Sequence, residues 1–283
     1  MRPTERQLKL LSKKELKIFN LTYKFHNKYR QFTIKWQNKT GRFFTRLFIG
    51  KRIRYHDLEN IDCIKSNSKV IIIANHRSYF DFWPPITAIM KRCSAAIYYF
   101  FPVRSSFFYD RLLGFWTNFF ISSASMFPPI MRDKEKLKFN QYALQYIDNE
   151  LNKSNQGTVI GLHPEGKRNR HEDPHQLLPG KQGIGKIITQ APESTIVIPV
   201  FIHGLSNSPW QELKKNYKRK IDTPIDVLFG TPLQFDKHKE DLPDACKISS
   251  ITQQCMDAIQ ALANKHKDIN GSAFKKTQHY TTH

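Results

Sequence analysis

Residues 70–81 of the chain have the sequence VIIIANHRSYFD, and this stretch indicates the class of fold. The β-branched run at 70–74 is typical of a strand buried on both faces of a parallel sheet. Polar side chains follow at once, and in open α/β sheets ligands bind beyond the carboxyl ends of the strands. The stretch therefore predicts a central strand that ends in a functional turn.

Strand and helix patterns alternate along the rest of the chain. Apolar β-branched or aromatic runs predict further strands at 95–101, 158–162, 195–202 and 225–229. Helical patterns cover 133–151, 183–190 and 245–266. This alternation predicts an α/β fold with a mostly parallel central sheet flanked by helices.

Positive charge is concentrated near the N-terminus. The 283-residue chain has a formal net charge of +21, and residues 1–54 contain sixteen of its 45 Lys and Arg residues but only two acidic residues. This charge predicts an anionic partner, such as lipid headgroups, a phosphorylated substrate or nucleic acid. The expected organisation is a basic helical membrane-contact segment at 1–60, an α/β domain at 61–267 and a polar, disordered tail at 268–283.

Residues 5–40 carry one stripe of lysines and a second stripe of apolar residues, as a basic amphipathic helix does. One interpretation is a helix that lies in the interface of an anionic membrane. The alternative is a helix that packs on its own domain and exposes a solvated basic face.

Residues 93–109 and 112–131 are apolar, aromatic and nearly uncharged. Twenty residues are long enough to span a bilayer, but Asn118, three serines and the pair Pro128-Pro129 are costly in hydrocarbon. A buried strand with a buried helix is one interpretation. A surface that enters a bilayer or accepts an acyl chain is another interpretation. A transmembrane segment at 112–131 is a third.

Two charged turns follow predicted strands. If His76 lies in the turn and Asp81 in the first turn of the following helix, the carboxylate accepts a hydrogen bond from Nδ1–H and leaves Nε2 as a base. A structural His–Asp contact is the alternative. The second turn, PEGKR at 164–168, combines a glycine that lets backbone approach a ligand with two cations that suit a phosphate. A solvated charged turn is its alternative interpretation.

Taken together, the two turns resemble the motifs of the PlsC-type glycerolipid acyltransferases, which include the 1-acylglycerol-3-phosphate acyltransferases. Asn-His-x-Ser-x-x-Asp follows one strand, and Pro-Glu-Gly-x-Arg follows a later one. PIMR at 129–132 resembles the second block of the family, VIPV at 197–200 resembles the fourth, and 181–183 resembles its basic turn. The similarity covers residues 65–235.

The resemblance implies a glycerol-3-phosphate acyltransferase-like fold. It also implies transfer of a fatty acyl group from acyl-CoA or acyl carrier protein to lysophosphatidic acid, giving phosphatidic acid. His76 would be the general base and Asp81 would orient it, with direct transfer, no acyl-enzyme, no cofactor and no metal. The acceptor phosphate would be held by Arg132 and Arg168, with Lys167 and Lys181 nearby.

The remaining site residues implied by the resemblance are Asn75, Ser78, Glu165 and Gly166, with Glu165 binding a glycerol hydroxyl or ordering the cations. The expected partners are membrane phospholipid or lysophospholipid, the acyl donor and an anionic membrane surface. No nucleic acid is expected, because no helix-turn-helix, zinc-finger or RNA-recognition signature is present. The expected location is the cytoplasmic face of a membrane.

Three departures from the family pattern leave the acceptor open. His163 stands where the family has an aromatic residue, Lys167 stands where it has threonine, and Pro128-Pro129 is unusual. A different lysophospholipid or another lipid alcohol is therefore an alternative acceptor. A basic module that binds membranes or nucleic acid without catalysis is the alternative outside the enzymes.

The sequence HEDPH at 171–175 contains metal-capable groups, but Pro174 prevents the helix that would bring His171 and His175 together. This segment predicts a solvated loop rather than a metal site. The four cysteines are widely spaced, without a paired motif, which favours a reducing compartment.

Overall fold

The computed structural model describes residues 1–93, 97–109, 112–153, 156–218, 223–235 and 243–279, with the backbone alone for 270–279. Within these ranges seven strands form one sheet in the order β1-β7-β6-β2-β5-β3-β4. The strands are β1 (Ile53–His56), β2 (Lys69–Ala74), β3 (Tyr98–Arg104), β4 (Met126–Ile130), β5 (Thr158–Leu162), β6 (Ile196–His203) and β7 (Ile225–Phe229).

Neighbouring strands run parallel except β6 and β7, which are antiparallel. This confirms the predicted α/β class with a mostly parallel sheet. Every residue of β2 is buried between β5 and β6, as its continuous apolar run requires. Because β7 runs against β6, the start of β7 lies at the same edge of the sheet as the carboxyl ends of β2, β5 and β6.

Helices cover both faces of the sheet. They are α1 (Glu5–Leu8), α2 (Lys13–His26), α3 (Arg30–Phe48), α4 (Trp83–Arg92), α5 (Ser105–Phe108), α6 (Leu112–Phe120), α7 (Asn140–Asn152), α8 (Gly183–Gln190), α9 (Pro209–Asn216) and α10 (Asp244–His279). Alternate residues of β2 point to opposite faces. Ile71 and Ile73 pack with α2, α7, α8 and α10, whereas Val70 and Ile72 pack with α4.

The N-terminal segment forms three helices instead of the one predicted over 5–40. Ser12 and Glu15 make a reciprocal capping box, so α2 begins anew after α1. Leu11 and Ile18 from the apolar stripe are buried in the main core, whereas Tyr29 and Phe32 are exposed. Arg30 pairs with the buried Glu150 of α7. Part of the apolar stripe therefore packs on the protein itself, and residues 1–60 share a core with the α/β domain.

Residues 112–131 do not form a single helix, because α6 ends at Phe120 and β4 then joins the sheet beside β3. Among the described helices, none combines the length and the apolar composition needed to cross a bilayer. Phe115 and Phe127 are buried, as expected for a buried helix and strand, whereas one face of α6 is exposed.

Several boundaries differ from the sequence prediction. Strands at 158–162 and 225–229 and the helix at 183–190 match, but β3 begins at Tyr98, and residues 94–96 lie outside the described residues. The predicted helix 133–151 is a 3₁₀ turn at Lys134–Phe139 followed by α7. Helix α10 continues to His279, so most of the predicted tail has a helical backbone, and 280–283 lie outside the described residues.

Candidate active site

The turn after β2 is fastened to the neighbouring strand β6. The Asn75 side-chain amide donates to the carbonyl of Ile202 at 2.9 Å, and its oxygen accepts from the backbone N–H of Ile202 at 2.8 Å. Ser78 is also buried, and its hydroxyl donates to the carbonyl of Ser206 at 2.6 Å. The two side chains therefore position the turn, and their predicted contact with substrate stays a prediction.

His76 and Asp81 form the contact that the sequence predicts. His76 Nδ1 lies 3.0 Å from Asp81 Oδ2, and the same carboxylate accepts the backbone N–H groups of Arg77 and Ser78 at 2.9 Å each. Asp81 lies in the turn before α4 rather than in its first helical turn. As a carboxylate, Asp81 accepts a hydrogen bond from Nδ1–H, which fixes the ring and leaves the lone pair of Nε2 free to act as a base.

The protonation states suit a general base. Burial, followed by the charges of Arg168 and Arg132, lowers the pKa of His76 to about 3. Burial raises the pKa of Asp81 to about 6, although His163 and the backbone N–H groups that it accepts lower it. At neutral pH the pair is therefore a neutral imidazole beside an ionised carboxylate, the form that can take a proton from an alcohol.

His163 forms a flat support for His76. The two imidazole rings stack with their centroids 3.8 Å apart and their planes 9° from parallel, and Phe82 stacks 4.3 Å from the other side of His163. His163 Nδ1 lies 3.0 Å from the carbonyl oxygen of Ala74, to which it donates as a neutral imidazole. Burial, followed by the charge of His76, lowers the pKa of His163 to about 3, so the ring stays neutral and fills an aromatic position.

The three side chains His76, Asp81 and His163 come close enough to raise the question of a metal. The lone pairs of imidazole nitrogens lie in the ring plane, and two stacked parallel planes do not converge on one ion. Asp81 Oδ2 already accepts three hydrogen bonds. The arrangement therefore fits proton transfer better than metal binding.

Glu165 supports the main chain of the first turn and of the loop that follows the second turn. Its Oε1 accepts from the backbone N–H of His76 at 2.8 Å, and its Oε2 accepts from the backbone N–H of Leu178 at 2.9 Å. The residue is 1% exposed, and burial raises its pKa while these hydrogen bonds lower it. These contacts give Glu165 a positioning role, and its predicted contact with a glycerol hydroxyl stays a prediction.

Cations surround the second turn. Gly166 has φ +67°, a conformation that favours glycine, and its carbonyl accepts from Arg132 Nη2 at 2.6 Å. The backbone N–H of Lys181 donates to the Pro164 carbonyl at 2.8 Å, and its side chain lies beside Gly166. Lys167 is exposed on the same turn. The structure thus brings Arg132, Lys167 and Lys181 together.

Arg168 is held toward the first turn. Its guanidinium donates to the hydroxyl of Tyr79 at 2.8 Å and to the side-chain oxygen of Asn207 at 2.9 Å, and it lies 3.8 Å over the Tyr79 ring. Sequence analysis missed both partners. Tyr79 is an aromatic residue at a variable position of the first motif, and an aromatic ring there could have indicated a partner for a nearby arginine. Asn207 follows β6, and only the sheet order places it here.

Comparison with known proteins agrees with this geometry. The family model described as Acyltransferase matches residues 52–203, which is more than half of the chain. No curated protein matches the chain in sequence. The matched range includes both turns, His76, Asp81 and all the cations of the site. The chain belongs to the acyltransferase family.

Proposed function

We propose that this acyltransferase transfers a fatty acyl group from a thioester donor, acyl-CoA or acyl carrier protein, to the free hydroxyl of lysophosphatidic acid. The product is phosphatidic acid. The observation that carries the proposal is the neutral His76, held by Asp81 and flanked by Arg132 and Arg168. A base for an alcohol and a charged site for a phosphate are the two functions that this acceptor requires.

The chemistry needs one proton transfer in each direction. His76 Nε2 takes the hydroxyl proton while the oxygen forms a bond to the thioester carbonyl carbon. Collapse of the tetrahedral intermediate breaks the carbon–sulfur bond, and the thiolate receives the proton from His76. Asp81 stabilises the imidazolium between these steps. The step requires no covalent intermediate on the enzyme, and the four cysteines lie outside both motifs.

The arginines couple acceptor binding to the strength of the base. Their charges lower the pKa of His76 in the free enzyme. A bound phosphate dianion offsets those charges, and this raises the basicity of His76 only when the correct acceptor is present. A neutral alcohol does not produce this effect, which favours a phosphorylated acceptor over the alternative lipid alcohols.

Attachment to an anionic membrane at its cytoplasmic face is the second part of the proposal. Leu113 and Trp116 of α6 are 75% and 47% exposed, and Phe32 and Phe43 of α3 are also exposed. Trp36 joins the two helices by stacking on Phe119 at 4.8 Å. The exposed face of α3 also carries lysines and arginines, at 35, 39, 42 and 46. Apolar and basic side chains on one face favour an interfacial position.

Vesicle flotation tests this face. Trp116→Ser is expected to weaken binding to vesicles that contain phosphatidylglycerol several-fold. Trp210→Ser is the matched control, because Trp210 is 72% exposed on α9, which packs near the C-terminal end of α3. Equal loss in both variants, or none in either, would contradict the assignment of α6.

A radiolabelled transfer assay with purified enzyme tests the reaction itself. It compares acyl-CoA and acyl carrier protein as donors, and lysophosphatidic acid, lysophosphatidylcholine and a neutral monoacylglycerol as acceptors. The expected product is phosphatidic acid. Product from the neutral acceptor at an equal rate would contradict a phosphate-reading site and favour the alternative acceptor that His163 and Lys167 left open.

A further inference from the structure

A second cluster of histidines lies at the start of β7, and the proposed reaction does not use it. Four of the eleven histidines of the chain and two aspartates meet there from five parts of the sequence. Its members are His56, Asp173, His175, His203, Asp226 and His266. Asp226 is 4% exposed and His266 is 1% exposed, so the centre of the cluster is buried.

Two carboxylates in this cluster are joined through two imidazoles. Asp173 Oδ1 lies 3.1 Å from His175 Nδ1, and His175 Nε2 lies 2.8 Å from His266 Nδ1. His266 Nε2 then lies 3.4 Å from Asp226 Oδ2. Each ring nitrogen and each of the two carboxylates takes part in this chain of three contacts.

When both imidazoles are neutral, this row of three contacts lacks one of the three protons that three hydrogen bonds need. A neutral imidazole has one N–H, so two rings supply two protons for three contacts. One contact then joins two atoms that both present lone pairs, which is unfavourable in a buried place. A further cation between the carboxylates, either a proton or a metal ion, makes all three contacts favourable.

The distances favour a metal ion at the contact between His266 and Asp226. A charge-assisted hydrogen bond is about 2.7–2.9 Å long, which is shorter than the observed 3.4 Å. Two ligands bound at 2.0–2.1 Å around a tetrahedral ion lie about 3.3 Å apart. One nitrogen of His203 also converges here, within 4.8 Å of the ligand atoms of Asp226 and His266.

We propose that His203, Asp226 and His266 bind a divalent transition metal ion of the zinc type. Two imidazoles and one carboxylate are donors that such ions prefer. His266 Nδ1–H donates a hydrogen bond to His175 Nε2, and His175 Nδ1–H donates one to Asp173. Hydrogen bonds of this kind, outside the metal ligands, orient a metal-bound histidine. His56 Nε2 donates to the other oxygen of Asp226 at 2.9 Å and orients that ligand.

One cation competes for the site. Arg54 Nη2 lies 3.3 Å from Asp226 Oδ2, and Arg54 Nε lies 3.2 Å from Oδ1. The Arg54 side chain is 56% exposed, so it can turn toward water at little cost. Removal of this guanidinium is therefore expected to strengthen metal binding, whereas removal of a ligand weakens it.

Such an ion would join β6, β7 and α10 to one another, and His175 would connect the loop after the second turn to it through His266. His175 lies in that loop, which also contains the Leu178 amide bound to Glu165. His203 ends β6, Asp226 is in β7, and His266 is in α10. The expected consequence is a higher melting temperature with the metal, because only the folded chain brings these residues together.

Zinc titration of the full, untagged chain after chelator treatment tests the site, with calorimetry and metal analysis as readouts. One equivalent is expected to bind, and the affinity is expected to fall at least about 100-fold in His203→Gln and Asp226→Asn. Glu172→Gln is the matched control, because Glu172 is exposed in the same loop. It is expected to bind zinc as the parent does, and Arg54→Gln more tightly.

The melting temperature separates loss of a ligand from loss of the fold. Asp226→Asn has nearly the same shape as the parent, and its melting temperature without metal shows whether it folds. In a folded variant, zinc is expected to raise the melting temperature less than it does in the parent. The proposal is overturned if folded Asp226→Asn binds zinc as well as the parent does, or if the parent does not bind zinc. In that case a proton, rather than a metal ion, lies between the two carboxylates.

Discussion

Two groups of histidine and aspartate lie at the same edge of the sheet, yet their geometry suits different chemistry. At His76 the carboxylate accepts three hydrogen bonds on one oxygen, and the neighbouring imidazole of His163 is stacked in a parallel plane. At Asp226 the carboxylate faces His266 across 3.4 Å, and the rings of His203 and His266 are tilted by 41°. The lone pairs of parallel stacked rings do not converge on one ion, whereas those of tilted rings can.

The comparison shows that residue type alone does not define a site. Both groups contain two histidines and one aspartate within the same 4.8 Å limit. The difference comes from backbone N–H groups, which saturate Asp81 but not Asp226, and from the angle between ring planes. Substitutions in each group can therefore test whether their roles are separate.

The largest expected effect is that of His76→Ala. Loss of the general base is expected to lower kcat by about 10²- to 10⁴-fold while the fold is retained. The measurement is single-turnover acyl transfer, with circular dichroism as the check on folding. His171→Ala in the exposed loop is the matched control. Transfer by folded His76→Ala at near the parent rate would show that this pair is structural and would remove the contrast between the two groups.

Arg168→Ala tests whether the cations near His76 bind the phosphate of the acceptor. Loss of charged hydrogen bonds to the acceptor is expected to raise its KM by about 10- to 100-fold and to change kcat less. Arg170→Ala is the matched control, because Arg170 is exposed two residues along the same loop. An unchanged KM for lysophosphatidic acid in Arg168→Ala would exclude Arg168 from the phosphate site.

The pH profile tests the state of Asp81. Because burial raises the pKa of Asp81 to about 6, protonation below that pH removes the acceptor for His76 Nδ1. We expect kcat/KM to fall about tenfold per pH unit below pH 6 and to be level above it, since His76 itself stays neutral. The profile is measured between pH 4.5 and 8 on protein that remains folded. A level profile down to pH 5 would contradict this assignment.

The smallest expected effect is that of His163→Phe. Phenylalanine keeps the stack against His76, so kcat is expected to remain within about threefold of the parent. Loss of the hydrogen bond to the Ala74 carbonyl is expected to lower the free energy of unfolding by about 1 kcal/mol. His163→Ala removes the stack and is expected to reduce kcat more. Equal losses of kcat in the two variants would mean that the imidazole itself is required.

Local patterns predicted five of the seven described strands and the contact between His76 and Asp81, whereas the other contacts of the site depend on long-range pairing. The apolar run at 70–74 and the spacing of His76 and Asp81 were readable because their partners are close in sequence. The positioning roles of Asn75, Ser78 and Glu165 depend on partners in other parts of the chain. The histidine cluster was missed for the same reason, because its members come from β1, β6, β7, α10 and a loop.

The order of the strands has a consequence for synthesis of the chain. Among the described strands, β1 pairs with β7 alone, although the two are far apart in sequence. At about 5–20 residues per second, roughly ten seconds or more pass between translation of the two. Strand β1 therefore has no partner strand during this time, and pairing between such distant segments is typical of slow folding. Until β7 has been translated, the N–H and C=O groups of β1 are unpaired, and another chain can bind them unless a chaperone covers them.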